Sequence, residues 1–284
     1  MAVPIPIDDP ADERLASYTS MTDAELRASL DAAHGVFVVE GATALGRLVD
    51  SPYAPVSALC SPAKAPAVLD LLADFDVDVY VAASCVLEAV TGFSVHRGVL
   101  ALARRPRAVE VDELLATSRT VAVLEGLNDQ TNLGAIARSA RALGVDGFVL
   151  DPTCADPLYR RTVRVSMGEM LHLPFARVAA APTGSPWTDA LWPLLTAHGF
   201  RVLALTPAAT NTIDEIELAA DERVAVLLGS EGPGLSDAAL DGPVERVRIA
   251  MAAGADSLNV GHAAAIVFHY IGRPGGQWSG RTPA

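Results

Sequence analysis

Three short polar segments in the second half of the chain carry side chains that could do chemistry. Asn132 and Arg138 lie in LNDQTNLGAIARSARALG, and Glu231 lies in LLGSEGPGLSD. Ser257 and Asn259 lie in ADSLNVGHAAAIVFHYIG, directly before an alanine-rich apolar run. The first two segments each follow a predicted strand, and the carboxyl edge of the strands is where α/β proteins usually bind ligands. The three segments are therefore candidates for a single ligand site.

The first and third segments also have structural explanations. Asn132 could cap a helix, and Arg138 could be an ordinary surface residue. Ser257 and Asn259 are both residue types that satisfy the free N–H groups of a first helical turn. A cap explains only one of these two residues, so the other remains a candidate for binding or catalysis.

The second segment is rich in glycine, which lets a backbone approach a ligand closely. Gly229, Gly232 and Gly234 could equally form a tight turn with Pro233 and leave Glu231 exposed. Their spacing matches neither the dinucleotide fingerprint nor the phosphate loop. A nucleotide-dependent oxidoreductase is therefore a remote alternative.

Strands and helices alternate along most of the sequence and predict an α/β protein with two domains. Residues 21–108 form a small α/β domain, and the polar residues 109–118 form a linker with one helical turn. Residues 119–274 form an α/β domain with a mainly parallel sheet. Residues 1–20 are expected to be a loosely attached leader, and residues 275–284 a flexible tail.

Composition excludes several classes of protein. With 51% hydrophobic residues over 284 positions, the chain can bury a core. Its apolar runs fall short of the roughly 20 residues needed to span a membrane, and its start lacks the features of a signal peptide. We expect a soluble, cytoplasmic protein with no membrane partner. Cys60, Cys85 and Cys154 show no metal-ligand or disulfide pattern, so no metal is expected.

The net charge of -13 argues against a protein that coats nucleic acid by charge alone. It leaves room for a local basic site. Arg160, Arg161 and Arg164 cluster in DPLYRRTVRVSMG, and a second arginine group lies at residues 104–107. Either group could contact phosphates or could simply form a solvated surface.

Taken together, the three polar segments resemble the three motifs of the SpoU or TrmH family of RNA ribose 2'-O-methyltransferases, within the SPOUT superfamily. The matching stretches are NLGAIARSARALG, LLGSEGPGL and RIAMAAGADSLNVGHAAAI, in this order. The resemblance covers about residues 119–273. FVVEG and FSVHRGVLAL are similar, more loosely, to the family's substrate-binding domain.

The resemblance implies a C-terminal SPOUT domain with a deep trefoil knot and a small N-terminal α/β domain of ribosomal-protein-like fold. It implies a homodimer through the knotted domain, with active sites at the interface. The cofactor would be S-adenosyl-L-methionine, and the methyl group would go to a ribose 2'-hydroxyl of RNA, with rRNA favoured over tRNA. A catalytically silent RNA-binding protein of the same fold is the alternative.

The resemblance also assigns roles to residues of this sequence. Arg138 matches the arginine proposed to act on the ribose hydroxyl. Since a guanidinium stays protonated, orienting that hydroxyl or binding the adjacent phosphate is the more conservative role. The other polar positions match Asn132, Glu231, Ser257 and Asn259, and the cofactor-binding positions match Gly229, Ile249 and Leu258. Arg160, Arg161 and Arg164 are the candidates for binding RNA.

The sequence departs from the family pattern at two places near the predicted cofactor loops. The common Ile-Pro-Met is Ile249-Ala250-Met251 here, and the common Ser-Val after Ser-Leu-Asn-Val is Gly261-His262. Loss of the proline could loosen the loop. A glycine near a helix start costs about 1 kcal/mol relative to alanine. All polar motif residues are retained, so activity is expected.

Overall fold

The structure is a computed structural model that describes residues 2–19, 35–93, 95, 98–180 and 185–272. It divides into two compact units. The first unit comprises Met1–Arg107 and Leu158–His172, and the second comprises Ala108–Pro157 and Leu173–Ala284. The predicted tail at 275–284 lies outside the described residues.

The described residues alternate between strands and helices, so the α/β prediction is confirmed. The strands are β1 (Val3–Ile7), β2 (Val36–Glu40), β3 (Pro55–Cys60), β4 (Asp78–Ala82), β5 (Val99–Arg104), β6 (Thr120–Leu124), β7 (Gly147–Leu150), β8 (Phe175–Arg177), β9 (Phe200–Leu205), β10 (Asn211–Thr212), β11 (Arg223–Leu228) and β12 (Glu245–Arg248). The α-helices are α1 (Ala42–Val49), α2 (Ala65–Leu71), α3 (Ser84–Thr91), α4 (Val111–Thr117), α5 (Gln130–Ala142), α6 (Arg160–Val165), α7 (Trp192–Ala197), α8 (Asp237–Leu240) and α9 (Val260–Ile271).

The sheet of the first unit has the order β1-β4-β3-β5-β2, with β5 antiparallel to both of its neighbours. Its edge strand β1 pairs in parallel with β4. A short 3₁₀ helix at Glu13–Tyr18 follows and buries Leu15 and Tyr18. The expectation of a loosely attached leader over residues 1–20 is therefore wrong for residues 3–18, because backbone pairing and two buried side chains hold them in place.

Arg160 and Arg164 of α6 are held by one carboxylate of the first unit. Glu40, at the end of β2, is only 6% exposed. Its oxygens accept from Arg160 Nη1 at 2.5 Å and from Arg164 Nη1 at 2.8 and 3.0 Å. The Arg160 guanidinium also lies 4.5 Å from the ring centre of Phe93. These contacts explain why Leu158–His172 group with the first unit, although the sequence places them in the C-terminal domain.

The second unit is built on a seven-stranded parallel sheet of order β10-β12-β9-β11-β6-β7-β8. The central strands β6 and β11 are continuous apolar runs, as expected for parallel strands covered on both faces. The segment 109–118 is more ordered than the predicted linker. It contains α4, which buries Val111, Leu114 and Leu115 against the sheet core.

The three cysteines differ in burial. Cys60 and Cys154 are buried, and burial raises the pKa of Cys154 to about 12 and that of Cys60 to about 11. Cys85 is exposed.

Across the part of the chain that the structure describes, the helices are too short or too polar to span a membrane.

The buried ion pairs of Glu40 predict a stability effect. Removing the charge in Glu40→Gln leaves two guanidinium groups without a counter-charge, so we expect a loss of about 2 to 3 kcal/mol in the free energy of unfolding. The matched control is Glu169→Gln, which removes a pair with the half-exposed Arg47 and should cost less than about 1 kcal/mol. Urea denaturation measures both, and equal losses would contradict a special role for Glu40.

Candidate functional site

Helix α9 is capped by Asn259, the residue directly before its first residue, Val260. The Asn259 Oδ1 atom accepts hydrogen bonds from the backbone N–H groups of Gly261 at 3.0 Å and His262 at 3.4 Å. Ser257 makes no capping bond and lies exposed in the loop before the helix. Of the two residues in this segment that could cap the helix, Asn259 is therefore the one that does.

The other half of the Asn259 amide connects the three polar segments. Its Nδ2 atom donates to Asn132 Oδ1 at 2.8 Å and to Glu231 Oε1 at 2.6 Å. These partners lie far away in sequence, on the first turn of α5 and in the loop after β11. The structure thus brings Asn132, Glu231 and Asn259 into direct contact.

Asn132 does not cap α5, although its residue type would allow it. It is the third residue of the helix. Asp129 caps the helix instead, with Oδ1 accepting from Thr131 N at 2.6 Å and Asn132 N at 3.0 Å. Because Asp129 takes the cap, the Asn132 side chain is available to Asn259.

A cavity of about 690 Å³ opens beside this contact. Its walls come from the ends of β9 and β11, the loop 229–235, the loop 249–259 and the start of α9. The three predicted cofactor-binding residues all line it, as do three of the predicted catalytic residues: Gly229, Ile249, Leu258, Glu231, Ser257 and Asn259. Leu258 contributes an apolar side chain that is 40% exposed.

The loop after β11 requires glycine at its first position. A Cβ atom on Gly229 would lie 2.2 Å from the carbonyl carbon of Gly234 and 2.4 Å from Leu235 N. The loop closes on itself there, with Gly234 N donating to Ser230 O at 3.1 Å. Gly232 and Gly234 have φ angles of +90° and +74°, where a side chain is strained. The segment is therefore a tight turn that also forms a cavity wall.

Glu125, which none of the three sequence motifs includes, holds the end of the loop after β11 in place. Its Oε1 atom accepts from Trp187 Nε1 and from Ser236 Oγ, each at 2.6 Å, and its Oε2 atom accepts from Ser236 N at 2.8 Å. Ser236 caps α8 through Ala239 N. The carboxylate thereby ties the far end of the loop after β11 to the end of β6. In the sequence, the signal that could have identified Glu125 is a single charged residue directly after the buried run TVAVL.

The two departures from the family pattern have different surroundings. Gly261 is buried, and a Cβ atom there would lie 3.2 Å from both Ala135 Cβ and Asn259 Oδ1. Glycine thus lets α9 approach α5 closely where the amide contacts form. Ala250 is exposed and is not among the cavity-lining residues, and His262 is exposed.

Arg138 and the predicted RNA-binding arginines lie outside the cavity lining. Arg138 is exposed on α5 and makes no hydrogen bond or ion pair with the described residues. Arg160 and Arg164 are paired with Glu40, whereas Arg161 is exposed. No cluster of three or more His, Cys, Asp or Glu that could hold a metal occurs in the part of the chain that the structure describes.

Two comparisons with known sequences both relate this chain to RNA methyltransferases. The model of the SpoU rRNA methylase family matches residues 119–269, which include all three polar segments and both cavity loops. An uncharacterized tRNA/rRNA methyltransferase of Mycobacterium bovis is 42% identical over 269 residues. That alignment covers 94% of this chain and 91% of the relative.

Solved structures share the fold over nearly the whole chain. An AdoMet-bound rRNA methyltransferase from Sinorhizobium meliloti has a TM-score of 0.79 and 22% identity, covering 95% of this chain and 98% of that one. A structure of an RNA 2'-O ribose methyltransferase has a TM-score of 0.74 and 24% identity, covering 94% and 97%. The fold, the matched segments and the full-length relative lead to one conclusion: the chain belongs to the SpoU family of RNA methylases.

Proposed function

We propose that the protein transfers the methyl group of S-adenosyl-L-methionine to a ribose 2'-hydroxyl of RNA. The observation that carries the proposal is the Asn259 amide, which joins Asn132 and Glu231 at the edge of the cavity. Polar groups from three separate segments converge there on a partly apolar cleft, as in enzyme sites generally.

The cavity fits this cofactor in size and chemistry. Its volume lies within the roughly 300 to 1,000 Å³ range of small-molecule sites. Gly229 brings the backbone close to the cavity without a side chain in the way, and Ile249 and Leu258 provide apolar surface for an adenosine portion. Exposed backbone in the 229–235 loop can donate and accept hydrogen bonds. The likeness to an AdoMet-bound rRNA methyltransferase supports this choice.

Held by Gly229, Ile249 and Leu258, the cofactor would supply a methyl carbon carried on a positively charged sulfur. Transfer of that carbon to the 2'-oxygen would break the carbon–sulfur bond and release the hydroxyl proton to solvent, leaving a neutral ether and a neutral thioether. A ribose hydroxyl is a weak nucleophile at neutral pH. The protein must therefore hold that oxygen in line with the methyl carbon, which is a task of positioning.

Arg138 is suited to that positioning task on the RNA side. It stands six residues after Asn132 on the same helix, which is about 1.7 turns, and its guanidinium is exposed. We assign it the role of orienting the ribose or binding the adjacent phosphate, because a guanidinium is a poor proton acceptor. Asn132, Glu231, Ser257 and Asn259 order the loops around the reacting atoms.

Ribosomal RNA is the proposed substrate, in preference to tRNA, and the reaction is proposed to take place in the cytoplasm. The likeness to an rRNA methyltransferase of matching length supports this choice. The first unit is proposed to bind the RNA with a ribosomal-protein-like fold, and Arg161 is its exposed arginine in the 160–164 group.

We further propose a deep trefoil knot in the second unit and a homodimer formed through it. The loops 229–235 and 249–259, which would form the knot, meet at one cavity. On α9, Tyr270 is 42% exposed, which offers apolar surface to a second copy. In such a dimer each active site lies at the interface.

The function is tested first by cofactor binding and by the RNA product. We expect calorimetry to show binding of S-adenosyl-L-methionine, and we expect deletion of the gene to remove one 2'-O-methyl group from a map of total RNA. No binding of the cofactor would contradict the enzyme. An unchanged map together with RNA binding would favour the catalytically silent RNA-binding protein.

Two variants separate cofactor binding from catalysis. Asn259→Ala removes the cap and the link to Glu231, so we expect about tenfold weaker cofactor binding, equivalent to about 1.4 kcal/mol. Arg138→Ala leaves the cavity lining intact, so cofactor affinity should not change, while kcat should fall by about 100-fold or more. Calorimetry and single-turnover methylation measure the two effects. Loss of cofactor binding in Arg138→Ala would contradict the assignment.

The dimer is tested by light scattering on the purified full-length protein. We expect a mass of twice the 29.5 kDa of the chain. A mass equal to one chain at micromolar concentration, in a preparation that methylates RNA, would show that the active site is complete within one copy.

A further inference from the structure

Apart from Arg119 and Arg248, which are partly buried, the arginines described for the second unit fall into two groups by their partners. Four are occupied by acceptors of the protein itself. Arg201 pairs with Glu222 and Glu245, and Arg246 pairs with Asp241. The guanidinium groups of Arg177 and Arg223 donate to backbone carbonyls. Arginines in this group have little capacity left for a ligand.

The second group is small and lies on one helix. Among the residues described for the second unit, the exposed arginines that make no hydrogen bond or ion pair are Arg138 and Arg141. The single lysine of the chain, Lys64, lies in the first unit. Both of these exposed guanidinium groups are on α5, the helix that carries Asn132.

Arg138 and Arg141 are neighbours on the exposed side of α5. Residues three apart on a helix have Cβ atoms about 5 to 6 Å from each other. The opposite side of the helix is buried and includes Leu133, Ile136 and Ala140. Two adjacent positive charges repel each other unless an anion lies between or beside them.

We propose that Arg141 binds a phosphate of the substrate RNA strand, next to the nucleotide held by Arg138. The inference rests on the proposed function and adds the path of the substrate to it. The strand runs from Arg138 along the exposed side of α5 toward the C-terminal end of the helix. At a rise of about 1.5 Å per residue, Arg141 lies about 4.5 Å along the axis from Arg138.

The net charge of the protein gives exposed, unpaired arginines a large part in RNA binding. A chain with net charge -13 repels a polyanion over most of its surface. Binding of the strand then depends on the cations that are not already neutralised by carboxylates. Arg160 and Arg164 are paired with Glu40, so they cannot contribute a full positive charge. The exposed pair on α5 can do so in the second unit, and Arg161 is exposed in the first.

The salt dependence of RNA binding tests the proposal. The probe is a fluorescein-labelled ten-nucleotide oligouridylate, titrated by anisotropy against the full-length protein from 50 to 300 mM KCl. Loss of one phosphate contact on a single strand lowers the slope of log Kd against log salt concentration by about 0.7. We expect this decrease for Arg141→Ala, together with severalfold weaker binding at 50 mM KCl.

The control is Arg246→Ala, an exposed arginine of the same unit that is already paired with Asp241. Its slope should equal that of the original protein. An unchanged slope in Arg141→Ala, an equal decrease in Arg246→Ala, or no binding of the probe by the original protein would overturn the proposal.

Thermal unfolding separates phosphate binding from a structural role. Arg141 lies in the last turn of α5, where a cation stabilises the helix through its dipole. A purely structural role would lower the melting temperature of Arg141→Ala without changing its salt slope, and that result would also overturn the proposal. If the original protein methylates no RNA, the proposed function fails, whereas a failure confined to the slopes leaves it intact.

Discussion

The site depends on one amide side chain that meets two different demands. The oxygen of Asn259 satisfies the free N–H groups of α9, and its nitrogen binds Asn132 and Glu231. This requires an acceptor oxygen and two N–H donors on one side chain, a combination that an amide supplies. Aspartate would keep the cap and lose both donated bonds, and it would place a carboxylate against Glu231. The position of α9 and the shape of the cavity are thereby linked.

The surrounding backbone is arranged so that this contact can form. Gly229 allows the loop after β11 to fold back on itself, and Gly261 allows α9 to approach Ala135 of α5. Glu125 fixes the end of the same loop to β6 through Ser236. Each feature brings together backbone segments that a larger or differently charged residue would hold apart. The parallel sheet supports all of them, because the strands that precede these loops end on the same edge.

The sequence was sufficient for the fold class and for most of the cavity. Apolar runs such as TVAVL and RVAVLL predicted the buried parallel strands, and the motif residues Gly229, Ile249 and Leu258 do line one cavity. Single-chain patterns could not show which residue caps α5, because Asp129 and Asn132 are equally suitable types. They also missed β1, whose alternation of proline and apolar residues gives a weak strand signal and whose pairing with β4 spans most of the first unit.

The same limits explain why the sequence could not show which arginines are free to bind a ligand. A cluster such as Arg160, Arg161 and Arg164 looks alike in sequence whether its charges are free or paired. The pairing partner, Glu40, lies 120 positions before Arg160, in a strand that is otherwise apolar. A buried acid at the end of a strand becomes meaningful only when the fold shows what it faces.

The order in which the cavity is assembled has a consequence for synthesis of the protein. Strand β6 pairs with β11, about a hundred residues later, and the cavity is completed by α9 near the end of the described chain. Contacts between such distant segments form slowly and only after both segments are available. A nascent chain still attached to the ribosome therefore lacks a finished pocket until α9 has emerged. The protein becomes competent to bind a ligand there only after α9 has been synthesised.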